Sequence, residues 1–151
     1  METIEKSVEV LNDLIEINND RIAGFTHAAE DLGDGDLDLR TIFTTFKNES
    51  EGCVGELSAA VNQLGGETEM GTSASGTIHR AWIDVKATFS GHDRKGVLAE
   101  CERGEDAIKK AYRDALNPDN GLSADLVQLI SRQQEGITAA HNRIKTLRDS
   151  Q

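Results

Sequence analysis

The chain has 151 residues, enough to bury a core of its own as one domain spanning 1–151. Only 4% of residues are aromatic against 37% hydrophobic, so that core must be aliphatic. A single proline, Pro118, leaves long segments free of helix breakers. A net charge of −11 excludes a basic nucleic-acid-binding surface and disfavours docking on an anionic membrane face, while leaving cation attraction open.

The opening residues METIEKSVEV are neither basic nor continuously apolar, so no signal peptide is expected. A first helix is predicted over about 3–32. Ile4, Val8, Leu11, Ile15, Ile22, Phe25, Ala29 and Leu32 recur at steps of three and four and share one face. Gly33 and Gly35 end it. A second helix over about 38–64 takes Asp36 or Asp38 as its N-cap. Its stripe runs Leu39, Ile42, Phe43, Phe46, Cys53, Leu57, Ala60, Val61 and Leu64, and Gly65-Gly66 stops it. Two long amphipathic helices with a short connection form an antiparallel hairpin.

Residues 65–76 read as a loop rich in Gly, Ser and Thr. A short helix over about 76–89 carries Ile78, Trp82, Val85 and Phe89 on one side. At 1.5 Å per residue its length is roughly 20 Å. A further helix over about 93–116 puts Val97, Cys101, Ile108, Tyr112 and Ala115 inward, and Asn117 to Gly121 form a turn. The last helix, over about 123–149 with Ser123 as N-cap, has the stripe Leu126, Ile130, Gln133, Ile137, Ala140, Ile144 and Leu147. The expected fold is therefore all-α: a four-helix bundle of two antiparallel hairpins, with the extra short helix in one long crossover. This is the ferritin-like arrangement. No apolar run approaches the roughly 20 residues that span a bilayer. Two cysteines on different helices predict buried, inert thiols in a reduced cytoplasmic protein.

Di-metal sites in such bundles draw one Glu from each of two helices and a Glu-x-x-His from each of the other two, because residues three apart share a helix face. Here that motif is broken. Thr138 stands three before His141, and Glu135, six before it, lies about 120° away around the helix. Gly52 and Ala59 follow Glu49 and Glu56 at the histidine positions. In the first helix Asn18 points inward and Glu16 away. The third long helix differs, since Glu105 falls between Cys101 and Ile108 on the inner face, with Glu102 at its edge. Matching levels across the hairpins predicts one polar layer of Asn18, Ser50, Glu105 and Gln133. Two readings follow: a hydrogen-bonded network that fixes helix register, or a metal site using Glu105 with Glu102, Glu56 or His141. The short helix, with His79, Arg80 and Trp82, reads as a packing helix or as an interface, where Trp is enriched.

From His79 to Tyr112 the chain resembles a bacterial family of ferritin-like four-helix bundles of unknown function. The matching residues are His79, Arg80, Trp82, Asp84 and Lys86, then Gly91 with Asp93, then Glu100 to Asp106 (ECERGED), and Tyr112. Leu64-Gly65-Gly66 and the His141 to Ile144 stretch also fit, so the similarity extends over nearly the whole chain. His92 departs from the small or acidic residue expected between Gly91 and Asp93. The resemblance implies the fold and no activity. The leading expectation is a cytoplasmic, non-enzymatic structural or interaction module without cofactor, associated through its fold with stress physiology. It is expected to form a homodimer through Trp82 or through Val10 and Ile17, with no nucleic acid or membrane as partner. The rival expectation is a metal-binding protein holding iron or manganese. A third is a ligand-binding bundle with an apolar cavity lined by Trp82 and Tyr112.

Overall fold

The structure is a computed structural model, which describes residues 2–32, 34–68 and 94–150. Four helices make the bundle: α1 (Glu2–Asp31), α2 (Leu37–Gln63), α3 (Arg94–Ala115) and α4 (Ala124–Asp149). No strand occurs among the described residues, and none of their helices is long and apolar enough to cross a membrane. The expected crossover helix over 76–89, with Trp82, His79 and Arg80, lies outside the described residues.

α1 packs along α2, and α3 along α4. The two hairpins meet chiefly through α1 and α3. Contacts fix the directions. Arg40 reaches Leu32 at one end of the first hairpin and Asn12 reaches Glu67 at the other. Arg21 meets Glu105 while Asn18 meets Tyr112, so α1 and α3 are antiparallel. α2 and α3 therefore run the same way, which is what one long crossover produces.

The core is aliphatic with a cluster of phenylalanines. Phe25 lies between Phe43 and Phe46 at centroid distances of 5.4 and 5.5 Å, a spacing that favours tilted rings. Leu11, Leu14, Ile15, Leu39, Leu57, Leu98, Ile108, Ile130, Ile137 and Ile144 are all fully enclosed or nearly so. The inner stripe of α1 departs from expectation at several positions: Ile4 is 44% exposed, and Val8 and Ala29 are only partly buried. Ile22 is half-buried and Arg21 takes the interior place.

Local chemistry sets the helix ends. Gly65, at φ 79°, follows α2 in the left-handed region. The Gly65 and Gly66 amides bond back to Asn62 and Val61, closing the Schellman pattern. A side chain on Gly66 would strike Val8 at 2.8 Å. Ser123 caps α4 as expected, accepting from the Leu126 amide at 3.3 Å. At α2 the outcome differs from the expected cap. Asp36 holds the N-cap position without a side-chain cap bond, because Arg94 engages both Asp36 and Asp38 at 3.1 and 2.9 Å. The guanidinium beside Asp38 lowers that carboxyl to about 2. Arg40 likewise covers open carbonyls at the end of α1, donating to Ala29 at 3.1 Å.

Candidate functional site

Midway along the bundle a guanidinium is sealed inside. Arg21 has 0% exposure, and its Nε and Nη2 donate to the two oxygens of Glu105 at 2.7 and 3.0 Å. Its Nη1 donates to Glu49 Oε1 at 3.1 Å and to Ser50 Oγ at 2.9 Å. Phe25 and Phe46 place their rings 5.4 and 5.7 Å from the charge. The fork of Arg21 matches the planar carboxylate, which is why arginine rather than lysine suits this position. Burial opposes the charge on Arg21, yet Glu105 and Glu49 beside it raise its pKa further. Desolvation pushes the Glu105 carboxyl up, and Arg21 pulls against that shift.

From Arg21 a run of donors crosses the core. Ser50 donates to Asn18 Oδ1 at 2.9 Å, and Asn18 donates to the Tyr112 hydroxyl at 2.8 Å. Tyr112 donates to Gln133 Oε1 at 2.8 Å, and Gln133 donates to Glu56 Oε1 at 3.2 Å. Arg132 pairs with the other oxygen of Glu56 at the surface. Every helix contributes, and each donor points from the guanidinium toward Glu56. Burial raises the Tyr112 phenol well above its ordinary value, so the hydroxyl stays a donor.

A second cluster lies between α3 and α4. Glu102 and Asp106, four residues apart on α3, face His141 of α4. His141 Nε2 lies 2.6 Å from Asp106 Oδ1 and 3.8 Å from Glu102 Oε1. All three can offer a ligand atom within 4.8 Å of the others. Arg148 pairs with Glu102 Oε2.

The structure brings Asn18, Ser50, Glu105 and Gln133 into one bonded layer, joined by Arg21 and Tyr112. Of the four residues considered for metal, it brings Glu102 and His141 together. Glu105 is engaged by Arg21, and Glu56 by Arg132 and Gln133. Reading the sequence missed Arg21 and Asp106. The signals were there: Arg21 stands seven residues from both Leu14 and Ala28, and Asp106 four after Glu102. Val10 and Ile17, expected at a dimer contact, are 7% and 8% exposed and belong to the chain's own core. Tyr112 sits in the polar layer rather than on an apolar cavity. Cys53 and Cys101 are buried free thiols, and desolvation raises both, Cys53 to about 11.

Comparison with known proteins agrees with this architecture. A search of curated proteins gives no match. Among solved structures, the chain is similar to a ferritin-like, diiron-carboxylate protein from Bacillus anthracis str. Ames. The TM-score is 0.69 at 16% identity, over 97% of this chain and 96% of that one. At that identity the likeness shows the ferritin-like fold. Residues 6–118 match the domain of unknown function DUF2383, and the chain belongs to that family.

Proposed function

We propose that this chain is a non-enzymatic ferritin-like bundle, a structural or interaction module whose centre is held by an ion pair instead of metal ions. The observation that carries this reading is Arg21, fully enclosed and bidentate on Glu105.

The solved relative is described as a diiron-carboxylate protein, and the residues here do not fit such a pair of ions. Both oxygens of Glu105 already accept from Arg21, and Glu49 accepts from it as well. The layer continues through Asn18, Ser50, Tyr112 and Gln133, none of them a strong ligand, to Glu56, which Gln133 and Arg132 engage, and among the described residues no histidine joins them. A second cation would also face the guanidinium. At about 4 Å and an effective dielectric near 20, each unit of like charge costs about 4 kcal/mol. The buried free thiols Cys53 and Cys101 support a reducing, cytoplasmic setting.

The test is anaerobic Fe(II) loading, desalting and elemental analysis, followed by oxygen uptake. We expect no iron whose retention depends on Glu105 and no oxygen uptake beyond that of Fe(II) alone. Two irons per chain, lost in Glu105→Gln, would overturn the reading. A second reading, metal binding by a non-standard ligand set, is favoured by one observation: the buried His141 nitrogen facing Glu102 and Asp106.

A further inference from the structure

His141 poses a problem that hydrogen bonding does not solve. Its side chain is 9% exposed, and Nε2 is enclosed without an aligned hydrogen-bond partner. Buried polar atoms left in that condition are rare and call for an explanation. Asp106 Oδ1 is near enough, at 2.6 Å, but it lies off the direction a shared proton requires. The other ring nitrogen is placed differently. Nδ1 lies 3.3 Å from Asn142 Oδ1, and in the tautomer that donates to this oxygen Nε2 presents a lone pair. In that tautomer Nε2 and the Asp106 oxygen stand 2.6 Å apart with no proton aligned between them, an arrangement that a cation bound to both relieves. Glu102 brings a second carboxylate to the same point, 8% exposed, with its Oε1 toward His141 and its Oε2 toward Arg148.

We infer that Glu102, Asp106 and His141 form a mononuclear site for a divalent first-row transition ion, such as Zn2+ or Mn2+. Ligand atoms each about 2.1 Å from a tetrahedral ion lie about 3.4 Å apart. The observed 2.6 and 3.8 Å bracket that separation. Two carboxylates and a neutral imidazole balance a dication. A ring nitrogen in the set selects against Ca2+ and Mg2+, which take oxygen shells. The Asn142 carbonyl behind Nδ1 is the outer partner that ligating histidines usually have. Asp106 has a side-chain exposure of 61%, so solvent reaches the site and can complete the shell. Arg148 is the competing cation. It holds Glu102 Oε2 and also bonds Asp149 at 3.1 Å, so it has a second carboxylate to turn to when the ion enters. Neither α1 nor α2 contributes a ligand, so the site stands apart from the Arg21 layer and does not rest on it.

The test is calorimetric titration of the chelator-stripped full chain with Zn2+, with Mg2+ as the control cation. We expect one equivalent of Zn2+, weakened at least about 100-fold by His141→Ala. Asp106→Asn should weaken it as well; this exposed substitution leaves the core packing intact. Arg148→Ala should tighten binding several-fold, a change opposite in sign that misfolding cannot mimic. Absence of a saturable equivalent would overturn the inference. So would an equivalent that survives both His141→Ala and Asp106→Asn.

Discussion

At the scale of single residues, the chain stakes most on Arg21. A buried guanidinium is costly unless paired, and here the pair is bidentate, with Glu49 and Ser50 accepting from the remaining Nη1. Arg21→Leu should strand Glu105 and cost about 3–5 kcal/mol in urea unfolding. The double change Arg21→Leu with Glu105→Leu should recover most of that loss, since a hydrophobic replacement of a buried ion pair is often neutral or stabilising. A double variant as unstable as the single one would mean that the layer contributes more than charge balance. The directed bonding through Ser50, Asn18, Tyr112 and Gln133 is the reason such a contribution is conceivable, because chained hydrogen bonds polarise one another.

At the scale of elements, the starts of α2 and α3 are joined by charge. Arg94, at the first turn of α3, holds Asp36 and Asp38 at the first turn of α2. The Asp38 carboxyl falls from its ordinary 3.8 to about 2. A carboxyl lowered on folding stabilises the native state above its ordinary pKa and loses that contribution as pH falls through the folded value. Urea midpoints should therefore decline between about pH 4 and pH 2 in the native chain. The Arg94→Ala variant should start lower and show a shallower decline over that window. Equal slopes in the two proteins would show that other carboxyls set the acid limit. The N-cap expectation for Asp36 identified a suitable residue type at the right place, but the sequence does not reveal that an arginine 58 positions later competes for its side chain.

At the scale of the whole molecule, net charge and buried charge act differently. The net charge of the chain is −11, and most charged side chains among the described residues lie at or near the surface, where salt screens them over about 8 Å at physiological ionic strength. Moderate salt should raise the unfolding temperature by relieving self-repulsion. The enclosed Arg21–Glu105 pair is sheltered from that screening, so the stability cost of Arg21→Leu should be the same at low and moderate salt. A cost that shrinks strongly with salt would place the pair nearer to solvent than its 0% exposure implies.

The sequence by itself determined the helices and their pairing. Long runs with apolar residues at steps of three and four, bounded by Gly65-Gly66 and Asn117 to Gly121, leave few other solutions, because each amphipathic face must be covered by another. It also placed Asn18, Ser50, Glu105 and Gln133 at one level, since antiparallel hairpins of equal pitch align by length. What only the tertiary structure decided was the partner of each polar group. Periodicity treats an arginine as an outward residue, and nothing local to Arg21 announces a carboxylate 84 positions away. Likewise Glu102 read as a helix edge and His141 as a flank, and Asp106 joined them only once α3 and α4 were packed. Hydrophobic burial is additive along a chain and so can be read from it. The pairing of a buried charge depends on distances of a few ångströms between distant segments, and only packing sets those.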